Sequence, residues 1–248
     1  MAELTPRIIK RFNEVQADLK KATEIVAEGG TTILCSLLSA AVIGSPEQAA
    51  LLVAPGAVNI AMNYLRMRRE NNIIYVFDVV QEKRIVLADA LQKIPREAVR
   101  EYRDRIFPLV FEYAEDELEQ EKIKLFVNGF ESAVEQQVTE MALILKYNDT
   151  LRSLREIDIA FLINIPLHTY DEENALKLPL DKNYFDLFSP DSLTPGLQRT
   201  IVLDLESKGL IMSDPMWKAD GPFIRDQLKV TQFGQSFIDY FKLKAASV

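Results

Sequence analysis

Residues 31–65 constrain this chain more than any other stretch. TTILCSLLSAAVIGSPEQAALLVAPGAVNIAMNYL holds one charge, Glu47, and 22 apolar side chains in 35 positions. Such a segment has to leave water, because apolar burial is worth about 25 cal/mol per Å². It is broken at Gly44-Ser45-Pro46 and at Pro55-Gly56. Its first piece, 31–43, has 13 residues, whereas a spanning helix needs about 20. The pattern predicts an apolar helical hairpin, and two destinations stay open for it. In the first, the hairpin is core of an α-helical domain, the usual place for helices apolar all round. In the second, it enters or lies on a membrane in some state. Leu38 and Leu52 would then touch lipid, with Arg66, Arg68 and Arg69 at the headgroup level.

The rest of the composition excludes several classes. One Cys in 248 residues forms no internal disulfide, and one Cys with one His builds no four-ligand zinc site. The first 26 residues mix both charge signs and lack the apolar core of a signal peptide, so a cytoplasmic location is expected, with membrane association if the hairpin is released. A net charge of −8 disfavours a dedicated nucleic-acid binder.

Helical periodicity runs through the first 148 residues. Ile8, Phe12, Val15, Leu19 and Val26 mark a helix over 7–28, started by Thr5-Pro6 and ended by Gly29-Gly30. Further helices are predicted over 31–43, from 46 to Pro55, and over 57–69. Asn71-Asn72 marks a kink or a break, and 73–94 reads as one helix, followed by 96–105. Residues 106–132 include six carboxylates between Glu112 and Glu121, read as a solvated helix face on which Leu118, Leu125, Phe126 and Phe130 keep the apolar spacing. A last helix covers 133–147.

After Asn148-Asp149 the pattern changes. A helix over 149–163 leads to a polar loop, 164–182, and a short helical piece near 183–188. A helix over 195–208 follows, with Leu197, Ile201, Leu203 and Leu205 as its apolar side and Gly209 as its stop. LIMS at 210–213 and QLKV at 227–230 read as short strands around a loop, before a closing helix. This order is that of a winged-helix module. The fold expected is mostly α: an N-terminal helical domain, 1–148, with the apolar hairpin, and a C-terminal winged-helix-like α+β domain, 149–248.

No motif carries catalysis. Cys35 lies in the apolar stretch and His168 in a polar loop, and no nucleophile elbow or phosphate-binding glycine loop occurs. No enzyme activity, metal or cofactor is expected. A winged helix can place its third helix in the major groove and its wing on phosphate. Gln198, Arg199 and Lys208 on the helix and Lys218, Arg225 and Lys229 on the wing are the candidate DNA contacts. Residues 151–248 hold 11 basic and 14 acidic side chains, a net of −3. Phosphate attraction needs the opposite sign, so a protein partner is favoured over DNA.

The segment LQKIPREAVREYRDRIFPLVFEYAEDELEQEKIKLFVNGFESAV, then LRSLREIDIAFLINI, and the ending Gly209-Leu210-Ile211 with Val230-Thr231-Gln232-Phe233-Gly234-Gln235-Ser236-Phe237 resemble the abortive infection alpha (Abi-alpha) family over about residues 85–241. Ile123-Lys124-Leu125-Phe126 stands where that family usually has a Trp-Ala pair. The resemblance implies a role in phage defence or a related stress response, and it transfers no active-site residues. The function expected is that of a non-enzymatic, cytoplasmic interaction protein with a protein partner, membrane-active through 31–65 on release. A winged-helix DNA-binding regulator is the alternative.

Overall fold

A computed structural model describes residues 5–22, 33–38, 57–165, 193–213 and 228–243. They are mostly helical, with one small two-stranded sheet. The chain divides into two units, Met1–Asn148 and Asp149–Val248.

In the first unit, α1 (Pro6–Ala22) starts at the expected Pro6. The Thr5 hydroxyl accepts from the Ile8 amide at 3.3 Å, satisfying a first-turn N–H, and donates to Glu70 Oε1 at 2.7 Å. Residues 33–38 are helical, with Leu34, Leu37 and Leu38 fully buried. The remainder of the predicted hairpin, from 39 to 56, lies outside the described residues. Helix α2 (Ala57–Glu82) packs along α1. Thr5 meets Glu70, Arg11 meets Asp78 and Gln81, and Asp18 meets Gln81. Residue numbers rise together along both helices, so they run parallel. Ala57 precedes Glu70 by 13 residues, so about 20 Å of α2 extends past the start of α1.

Asn71-Asn72 does not break α2. Asn72 is buried, and its amide donates to the carbonyls of Ala114 (2.9 Å), Glu115 (3.3 Å) and Glu117 (2.9 Å). An asparagine engaged with another element no longer competes for its own backbone. The break falls instead at Lys83, and the helix predicted over 73–94 is split between α2 and α3 (Arg84–Gln92). Lys83 Nζ reaches Glu131 at 2.7 Å there, and Arg84 donates to the Gln81 carbonyl at 2.9 Å.

Helix α4 (Arg96–Glu101) passes through a π-helical turn, Tyr102–Ile106, straight into α5 (Phe107–Glu115). The wide turn sits just before Pro108, whose ring and missing N–H disallow a regular ladder. Helix α6 (Gln120–Glu135) follows a turn, and α7 (Met141–Ser153) follows another. The rings of Phe12, Phe77, Phe111, Phe107, Phe130 and Tyr102 form one continuous chain of contacts, with centroids 4.7–6.3 Å apart, through α1, α2, α5, α6 and the π turn. Such pairs add about 0.5–1.5 kcal/mol each beyond their burial. Helix α7 continues through Asn148-Asp149, contrary to expectation, because the buried Asn148 amide donates to the Ile144 carbonyl of its own helix at 2.8 Å.

In the second unit, the helix predicted over 149–163 is interrupted. Helix α7 ends at Ser153 and α8 (Glu156–Ile163) restarts where Asp158 Oδ2 accepts from the Arg155 amide at 2.8 Å. Residues 166–192, including the helical piece predicted near 183–188, lie outside the described residues. Helix α9 (Pro195–Ser207), strand β1 (Ile211–Ser213), strand β2 (Leu228–Val230) and helix α10 (Gln232–Tyr240) match the predicted series. The strands pair antiparallel, Ile211 opposite Val230 and Ser213 opposite Leu228. Gly209 has φ +72°, the left-handed exit that ends α9.

Thr231 joins these pieces. Its amide donates to the Leu210 carbonyl (3.0 Å) and its hydroxyl to the Gly209 carbonyl (2.6 Å). The same oxygen accepts from Gly234 N (2.9 Å), capping α10. A Cβ on Gly234 would lie 2.0 Å from the Leu210 carbonyl oxygen, so only glycine allows this approach. The Gly209-Leu210-Ile211 and Thr231-to-Gly234 segments are thus one interlocked structural joint.

Candidate functional site

The acidic run is not the solvated helix face expected. Residues 116–119 form the turn between α5 and α6, so Glu115 and Glu119 do not share a helix face. Glu115 and Glu117 are buried. Glu117 Oε2 binds Lys122 Nζ at 2.8 Å, with Lys122 itself 1% exposed, and Glu117 Oε1 accepts from the amides of Leu118 (2.7 Å) and Glu119 (3.1 Å). Asn72 holds three carbonyls of the same turn, and Arg69 Nε donates to Asp116 at 2.8 Å. Lys122 and Glu117 neutralise one another inside the fold, while Arg69 and Asp116 pair at the surface. Among the described residues, no cluster of His, Cys, Asp and Glu could hold a metal ion. Leu118, expected on an apolar face, is instead 62% exposed at the tip of the turn.

The membrane-contact candidates separate. Leu38 is fully buried in the first unit, and Leu52 lies outside the described residues. Arg66, Arg68 and Arg69 are not at a helix end but inside α2, on the part that extends past α1. Arg69 is engaged with Asp116 and lies 3.8 Å from Glu115. Arg66 is exposed, while Arg68 is half-buried, its Nε enclosed and without a hydrogen-bond partner. Leu65 and Met67, which sequence reasoning did not single out, are solvent-facing beside them. The signal was present in the alternation of apolar and basic residues through Leu65-Arg66-Met67-Arg68-Arg69. Among the described residues no helix is long and apolar enough to cross a membrane.

The DNA-contact candidates separate as well. Gln198 is buried, and its amide donates to the Leu193 carbonyl at 3.3 Å. Lys208 is half-buried, and its Nζ is held by Asp204 at 2.6 Å. Arg199 on α9 and Lys229 on β2 are exposed, whereas Lys218 and Arg225 lie outside the described residues. Helix α9 buries Gln198, Ile201, Val202 and Leu205, which fall on one face at three- and four-residue spacing. Leu197 and Leu203, expected on the apolar side, therefore point to solvent, as does Met212 of β1. The strand end is tied to this helix, since the Ser213 amide donates to Glu206 Oε1 at 2.6 Å.

Asp158 faces this region. Its carboxyl is pushed above the ordinary 3.8 by burial, against the hydrogen bond from the Arg155 backbone; nearby Asp204 raises it further, while Lys208 and Arg155 oppose. Cys35, read as lying in the apolar stretch, is half-buried, and His168 lies outside the described residues. No family model, curated protein sequence or solved structure matches this chain.

Proposed function

We propose that this chain is a non-enzymatic interaction protein of phage defence or a related stress response, binding a protein partner through the outward face of α9 and the adjoining strand β1. One observation carries the reading: Leu197, Leu203 and Met212 are 42%, 50% and 57% exposed on a unit whose other large apolar side chains in α9 and β1 are buried. Single exposed apolar residues are ordinary. Here three fall on the segment where a winged helix would read its ligand. The DNA-contact candidates on that helix are depleted, since Lys208 is bound by Asp204 and Gln198 faces inward. The defence role rests on the resemblance over residues 85–241.

The test is a phage challenge of bacteria expressing the full chain, wild type and the Leu203→Glu/Met212→Glu variant, with folding of both followed by circular dichroism. The reading requires that wild type lowers plating efficiency and that the folded variant does not. A folded variant that still protects refutes the α9 surface. Wild type that protects against none of a broad phage panel refutes the defence role.

Two readings have observations of their own. Exposed Arg199 and Lys229 suit the DNA-binding alternative, which demands duplex affinity that falls steeply with salt and is lost in Arg199→Ala/Lys229→Ala. Exposed Leu65, Arg66 and Met67 suit a membrane contact, which demands co-flotation of full-length protein with anionic liposomes.

A further inference from the structure

Helix α1 is attached to the first unit differently from its neighbours. Among the described helices, α2 is its principal packing partner. Its described side chains bury Ile8 and Val15 completely and half-bury Phe12, whose ring meets Phe77 at 6.0 Å. Its opposite face, through Ile9, Lys10, Asn13, Glu14 and Ala17, is open to solvent. The other described contacts along the seam are polar. Arg11 is its hub: Nε donates to Asp78 Oδ1 at 2.7 Å, one terminal nitrogen to Gln81 Oε1 at 2.6 Å, and the other to Glu14 at 3.2 Å. Gln81 passes the link on to Asp18 at 2.7 Å. At the other end Glu70 holds Thr5 and lies 3.5 Å from Arg7.

Helices α2, α5 and α6 are joined through the buried rings of Phe77, Phe111, Phe107 and Phe130, a chain that α1 meets at its end through half-buried Phe12. Half-exposed ion pairs weaken as salt rises, whereas apolar burial does not. Regions held by few buried contacts open below the cost of global unfolding.

We infer that α1 is a salt-sensitive strap: it opens from α2 as a unit, with Arg11 as its latch, while α2, α5 and α6 stay closed. Opening uncovers the side of α2 around Phe77. The strap stands independently of any membrane contact, which would be a consequence of it.

The test is hydrogen exchange of the full-length protein in about 50 mM and 500 mM NaCl at one pH, read by peptide. Raising salt should speed exchange in α1 by about three- to tenfold, the size expected for losing a few exposed pairs, and leave α5 and α6 unchanged. Arg11→Gln in low salt should reproduce the high-salt pattern of wild type and respond little to further salt. Lys10→Gln, which loses only a contact to Glu14 within α1, should behave as wild type. If α1 exchanges in step with α5 and α6 at both salts, it has no opening of its own and the strap is refuted. If α1 opens separately without any response to salt or to Arg11→Gln, the latch is refuted. Wild type alone decides the first point even if the variant does not fold.

Discussion

The two units solve the same problem, closing a small core, with different chemistry. The first takes charges inside. Lys122 and Glu117 are buried together, Glu131 is buried against Lys83, and Glu70 is buried under Thr5. In the second, the ion pair seen among the described residues, Lys208–Asp204, is half-exposed, and the core closes through backbone contact at the joint of Thr231, Leu210 and Gly234. A buried pair is sensitive to removal of one partner and tolerant of replacing both by apolar groups. A close backbone contact is sensitive to a single added methyl and indifferent to charge. The lesson is that each unit has its own kind of fragile position, and neither kind is found by counting apolar residues.

Three substitutions probe this contrast, from the largest effect to the smallest. Lys122→Ala strands Glu117 as a buried charge and should cost about 3–5 kcal/mol, measured by denaturant unfolding, with loss of exchange protection in the turn 116–119 and the start of α6. The double change Lys122→Met/Glu117→Gln should recover much of that loss. A cost below 1 kcal/mol for the single change would mean that the pair is solvated, and the contrast between units would fail. Gly234→Ala forces the Leu210 carbonyl and α10 apart and should cost about 1–3 kcal/mol, seen as faster exchange at the start of α10 and in β1. Unchanged exchange there would show that the joint is slack.

The smallest effect is a pH slope. Asp158 has a folded pKa above its unfolded value, so between the two the folded state holds more protons. Its contribution to stability is therefore present at low pH and lost as pH rises through the folded pKa. Asp158→Asn keeps an acceptor for the Arg155 amide and removes the titration. The variant should lose that falling slope, so that it gains on wild type as pH rises. Parallel stability curves for the two proteins across the acidic range would contradict the burial of this carboxyl.

How much of this was legible in the sequence differs between regions for a physical reason. Gly209 is a local signal that acts on its own backbone within a few residues, and the end of α9 followed from it; Pro195 and Thr231 are local signals of the same kind at the starts of α9 and α10. The face of α9 was legible too, since Gln198, Ile201, Val202 and Leu205 repeat at helical spacing, but reading Leu197 and Leu203 with them assigned two solvent-facing residues to the core. The candidate contacts were legible only as residue types. That Lys208 is spent on Asp204 while Lys229 is exposed depends on folded geometry.

The sequence by itself determined that the chain is mostly helical, that α1 starts at Pro6 and that α9 stops at Gly209, because periodicity and capping act over one or two turns. The tertiary structure alone decided that Asn72 would hold a turn 42–45 residues away rather than break its helix. It alone decided that Glu117 of the acidic run would be buried against Lys122 and that α1 would be tied to α2 through Arg11. In each case a polar group has two outcomes, exposure to water or pairing with a distant partner, and which is lower in free energy is set only once the chain brings that partner within hydrogen-bond reach.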